Sequence, residues 1–114
     1  MKKQLLMSAT ITLAAALLTT STAFAGIDAD AAKALAKKND CFKCHAVDKE
    51  KKGPSYKKIA LKYKGKAEGE AALIKNMTTE PLVKLDDGTE EKHKLLDTKD
   101  QAALKNLTAW ILSL

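Results

Sequence analysis

Cys41-Phe42-Lys43-Cys44-His45 is the stretch around which the rest of this 114-residue sequence arranges itself. Two residues between the thiols let the backbone curl so that both sulfurs face one edge of a planar group. The next residue then places an imidazole against one face of that group. C-x-x-C-H is the signature of covalent haem attachment: the thiols of Cys41 and Cys44 add to two porphyrin vinyl groups, and His45 lies under the iron as an axial ligand. Three other uses of the pair compete. A thioredoxin-like dithiol belongs at a strand-to-helix turn, and no strand pattern leads into Cys41. Zinc needs about four ligands, which Cys41, Cys44, His45 and His93 could formally supply. A disulfide across two residues is strained and rarely structural. The signature favours one covalent haem c with its iron.

Upstream, residues 1–25 read as a secretory signal. Lys2 and Lys3 precede an apolar run centred on Ile11 to Leu18, and Ala23-Phe24-Ala25 forms a small-x-small cleavage pattern before Gly26. The run is too short for a comfortable membrane span, which takes roughly 20 apolar residues. No Cys near the cleavage site would take a lipid. The expected product is a periplasmic, soluble domain of residues 26–114, with no stable membrane insertion after cleavage. A domain of 89 residues has a thin core and often needs a staple. A covalent haem is a large apolar body around which short helices pack, so it meets that need.

Working outward from the motif, Asp28 to Lys38 reads as a first helix, with Ala31, Ala34 and Leu35 on one face and Lys37 and Lys38 in the last turn. Gly53-Pro54 marks a turn. Ser55 to Tyr63 and Glu70 to about Met77 read as two short helices separated by Gly65. Thr98 and Gln101 match a capping box ahead of a final helix with Leu104, Leu107, Ile111 and Leu114 on its stripe. The terminal helices are expected to pack together. Residues 78–97 show no helical period, and a connection this long is usually functional or disordered. Asp87-Gly88 inside it predicts a hairpin turn, with Leu82 to Leu85 on one side and Glu91 to Leu95 on the other.

Charge narrows the partners. The chain carries 20 basic and 14 acidic side chains, a net charge of +6. Every basic residue is Lys, which suits bidentate phosphate or base recognition poorly. The absence of Arg from that excess argues against nucleic acid. The excess fits a face that steers an acidic redox protein, or lysines that simply keep an exported monomer soluble.

The motif, Gly53-Pro54-Ser55-Tyr56, Tyr63-Lys64-Gly65 and the closing Leu107-Thr108-Ala109-Trp110-Ile111-Leu112 together resemble the class I cytochromes c of the short bacterial monohaem type. The resemblance covers nearly all of residues 26–114. It implies an all-α, small helical fold wrapped around one haem, and a one-electron carrier rather than an enzyme. It also implies that the Pro54 carbonyl orients His45, that Tyr56 and Tyr63 line the haem pocket, and that Trp110 packs the terminal helices. One feature departs from the family. Its usual sixth ligand is a Met, followed by Pro, before the last helix, and residues 78–97 contain no Met. His93 stands close to that position, 17 residues before Trp110. His93 is therefore the expected distal ligand, and Met77 is the alternative. An open or labile sixth position would instead give a small-ligand sensor or a weak peroxidase-like enzyme. A His/His pair predicts a lower potential than a His/Met pair.

Overall fold

The computed structural model describes residues 26–114; the expected signal segment, 1–25, lies outside the described residues. Helix α1 spans Ala29–Lys38. Asp28 caps it, its carboxylate accepting from the Ala31 N–H at 2.9 Å. Helix α2 spans Tyr56–Tyr63 and is capped by the Ser55 hydroxyl, which accepts from the Lys58 N–H at 3.1 Å. Helix α3 spans Gly69–Thr78 and helix α4 spans Gln101–Leu112. Between α1 and α2 the motif forms a single 3-10 turn, Cys41–Lys43.

The loop between α3 and α4 holds an antiparallel hairpin. Strand β1, Leu82–Lys84, pairs with β2, Glu90–Lys92, with Leu82 opposite Lys92. Gly88, at φ 86°, supplies the left-handed residue that the turn requires. Asp87 steadies the turn by accepting from both the Thr89 N–H and hydroxyl, at 2.9 and 2.6 Å. The hairpin is where the Asp87-Gly88 signal placed it, though each strand is shorter than expected. It gives an otherwise helical fold its one small sheet among the described residues.

The core forms where α1, α2 and α3 all pack on α4, whose Leu104, Leu107, Thr108, Trp110 and Ile111 are buried. Asn106 of α4 closes the ends of the chain together. Its Oδ1 accepts from the Asp28 N–H at 2.9 Å, and its Nδ2 donates to the Asp28 carbonyl at 2.8 Å.

Two local expectations are corrected. Ala31 and Ala34 are exposed, whereas Ala32 and Ala36 are buried against α4. The buried stripe of α1 runs 32, 36, 39 and ends on a polar residue, Asn39. A helix with alanines on both faces carries little hydrophobic contrast, and a buried Asn is invisible to an apolar count. The α4 cap is Asp100 rather than Thr98. The Asp100 carboxylate reaches the N–H groups of both Ala102 and Ala103, at 2.9 and 3.1 Å, while Thr98 accepts from the Asp100 N–H at 3.1 Å. A carboxylate is favoured at a helix N-terminus by the dipole as well as by the hydrogen bonds.

The corrected face has a direct test. Ala36→Leu overpacks the α1–α4 contact and should lower stability by about 1–3 kcal/mol, whereas Ala34→Leu should stay within about 0.5 kcal/mol of the parent. Chemical denaturation of the haem-loaded proteins separates the two.

Candidate functional site

Every residue singled out in the sequence for binding meets in one place. Cys41, Cys44, His45, Pro54, Tyr56, Tyr63, Met77 and His93 all line a cavity of about 560 Å³. That lies within the roughly 300–1,000 Å³ range of small-molecule and cofactor sites. Leu73, Leu107 and Ile111 supply apolar wall from α3 and α4, and Val83 and Leu85 close it from the hairpin. A second depression, about 590 Å³ between Ala67 and Thr79, is open to solvent and gathers none of these residues.

His45 is fixed from several sides. Its Nδ1 donates to the Pro54 carbonyl at 2.7 Å, which leaves Nε2 as the free ring nitrogen. The Gly53 N–H donates to the Cys44 carbonyl at 2.8 Å, which brings Gly53-Pro54 back against the motif. Gly53 is there for space as much as for a turn: a Cβ on it would lie 2.7 Å from His45 Cε1. The sequence reading marked this glycine only as a turn residue. The Gly-Pro pair eight residues after the His was the available signal, but nothing in sequence shows how near a ring comes. Tyr56 stacks on His45 with ring centres 5.2 Å apart and meets Trp110 edge-on at 5.6 Å. Through this chain of rings, α2 and α4 both support the imidazole.

Electrostatics suits ligation. Burial pushes the His45 pKa below its ordinary value, opposed by the hydrogen bond to Pro54 and aided by nearby His93. The ring is thereby held neutral, the form that binds a metal. Both cysteines are free and half-buried, and burial pushes the Cys41 thiol upward. Burial, and then the neighbouring Cys41 thiol, raise the Tyr56 phenol far above its usual range, so it stays protonated.

His93 also lines the cavity. It follows β2 directly, and its N–H donates to the Pro81 carbonyl at 2.8 Å, which extends the hairpin ladder by one residue. Its Nδ1 donates to the Lys94 carbonyl at 3.0 Å, again leaving Nε2 free. The ring centres of His45 and His93 are 6.2 Å apart. Two imidazoles that held one metal between them, at metal–nitrogen bonds of about 2.0–2.1 Å, would have ring centres roughly 6.3 Å apart, so the observed spacing would suit a shared metal. The 35° between the ring planes is compatible with this, since each ring can turn about its own nitrogen–metal axis. Met77 also lines the cavity, but it is buried within the apolar cluster between α3 and α4. The residues present thus fit a covalently held haem: two free thiols, apolar walls, and two imidazoles whose Nε2 atoms are uncommitted.

This fold and this cavity define a class I monohaem cytochrome c. The family described as Cytochrome c matches residues 29–114, and the chain belongs to it. Membership brings one covalently attached haem c with its iron. The chain is similar to the solved class 1 cytochrome MtoD from Sideroxydans lithotrophicus ES-1, at 58% identity and a TM-score of 0.73, covering 76% of this chain and 96% of that one. Cytochrome c552 of Nitrosomonas europaea is 31% identical, with a TM-score of 0.55, over 75% of this chain and 98% of that one. Among curated relatives, cytochrome c-551 of Pseudomonas aeruginosa is 40% identical over 62 residues, which span 54% of this chain and 60% of that protein.

Gly53→Ala should displace the His45 ring and disturb its bond to Pro54. The expected result is a shifted ferric spectrum and a loss of about 1–3 kcal/mol in stability, read by absorbance and by denaturation of the haem-loaded protein. An alanine variant with both unchanged would contradict the close approach.

Proposed function

We propose that the chain is a periplasmic one-electron carrier whose haem c is attached through Cys41 and Cys44 and ligated by His45 and His93. The observation that carries this reading is the pair of imidazoles lining the cavity with ring centres 6.2 Å apart, each with Nδ1 committed to a backbone carbonyl. When bound, haem supplies an iron that cycles between ferric and ferrous. The protein's own residues do the rest. Pro54 holds the His45 tautomer and raises the basicity of its free nitrogen. The Lys94 carbonyl likewise fixes the tautomer of His93. Leu73, Leu107 and Ile111 exclude water from the ring faces.

With both axial positions taken by protein, no open coordination site is left for a substrate or a gaseous ligand. This favours a carrier over the sensing or peroxidase-like alternative. An imidazole in place of the family's thioether predicts a lower potential. Met77 as the distal ligand is the competing assignment, and its burial in the α3–α4 cluster counts against it.

Lys62, Lys84, Lys92 and Lys94 reach the lining of the cavity, against Asp40 and Glu91. That balance supports an acidic redox protein as the partner of a monomeric carrier. The two lysines near the start and the Ala23-Phe24-Ala25 pattern support export with cleavage after Ala25, which leaves residues 26–114 as the cytochrome domain.

Three results are expected. His93→Ala should convert the ferric haem to high spin and admit carbon monoxide to the ferrous form, whereas Met77→Ala should remain low spin. The reverse pattern would hand the sixth position to Met77. Mass spectrometry of the protein from the periplasm should give a chain beginning at Gly26 and carrying one haem; retention of residues 1–25 would contradict cleavage.

A further inference from the structure

Residues 93–97 cross from the hairpin to α4 without regular structure. A segment of this kind holds a side chain in place only through its anchors. One anchor is the hydrogen bond of His93 to Pro81 already described. At the other end, Leu96 is buried and its N–H donates to the Met77 carbonyl at 2.9 Å. The Asp97 N–H donates to Asn39 Oδ1 at 2.8 Å. Asn39 is 4% exposed, and its Nδ2 donates to the Leu35 carbonyl at 3.0 Å. One buried amide therefore uses both ends, one toward α1 and one toward the loop. A parallel tie joins Lys94 to Asp40 at 2.8 Å, with side chains 61% and 42% exposed. Exposed ion pairs of that kind contribute little, whereas the Asn39 amide is itself buried and its bond to the Asp97 N–H is half-buried, so leaving its oxygen without a donor costs more. Asn39 is accordingly the stronger latch.

We propose that Asn39 is a positioning residue for the distal ligand: its buried amide ties residues 93–97 to the end of α1, two residues ahead of Cys41, and so keeps His93 seated opposite His45. This rests on His93 being the distal ligand. Loss of the tie leaves the thiols, His45 and Pro54 untouched, but His93 leaves the metal more often. An added ligand then enters faster.

The test uses the haem-loaded protein in its ferric form, mixed with cyanide in a stopped-flow instrument, because a carbon donor in place of His93 changes the ferric spectrum. Asn39→Ala should bind cyanide about tenfold faster than the parent and keep a low-spin spectrum at rest. Asn39→Asp retains an oxygen for the Asp97 N–H but loses the donor to Leu35. It should lower the denaturation midpoint and yet bind cyanide at the parent's slow rate. In a His93→Ala background the acceleration by Asn39→Ala should vanish, because no distal ligand remains to be displaced. Should the alanine variant fail to take up haem, Asn39→Ser serves the same comparison.

The proposal is overturned if Asn39→Ala stays within about twofold of the parent rate, a change too small for the loss of a hydrogen bond to a buried amide. It is also overturned if the acceleration persists without His93, or if Asn39→Asp accelerates binding as much as Asn39→Ala does. A low-spin His93→Ala protein would instead overturn the ligand assignment itself. That failure is distinct, because in the others His93→Ala is high spin.

Discussion

The hydrogen bond of 2.7 Å from His45 Nδ1 to the Pro54 carbonyl sets the frame of this molecule. It fixes which nitrogen of His45 is free and where the ring stands in the cavity. It requires the chain to return on itself within nine residues, and that return places Gly53 where a side chain would strike the imidazole. Ser55 then caps α2, so the turn that holds the histidine also starts the next helix. Tyr56, the first residue of α2, stacks on the same ring and touches Trp110 of α4. Much of the core is thus organised around one imidazole, and a small domain gains rigidity where its cofactor needs it.

The far side of the cavity is built by different means. No helix delivers His93. A three-residue strand brings it into line, and hydrogen bonds at residues 93, 96 and 97 hold the segment that follows. Glu80, with φ 50°, turns the chain from α3 toward this hairpin in a backbone region that non-glycine residues seldom occupy. His45 is held by a packed stack of rings, whereas His93 depends on a few backbone bonds and one buried amide. Such an arrangement gives the two sides unequal stability, with opening concentrated on the side of fewer buried contacts.

Much of this was legible in the residues. Cys41, Cys44 and His45 declared the chemistry because their spacing has few other uses. Asp87-Gly88 declared the hairpin because a tight turn needs a left-handed residue. The family resemblance, confirmed over residues 29–114, supplied the roles of Pro54 and Tyr56. What escaped was set by distance rather than by local pattern. The inner face of α1 was shifted by one residue because alanine gives little contrast. Asp100 displaced Thr98 as a cap because a carboxylate reaches two donors and suits the dipole. Gly53 and Asn39 act on groups eight and 58 residues away, and a single sequence carries no sign of either contact.

The central claim is that two imidazoles hold the iron from opposite sides. Iron-edge X-ray absorption of the haem-loaded protein addresses it without any substitution. The account predicts a six-coordinate first shell of nitrogen alone, at about 2.0 Å. A sulfur scatterer near 2.3 Å would give the sixth position to Met77, and a five-coordinate shell would leave it open. Either result would contradict the assignment of His93.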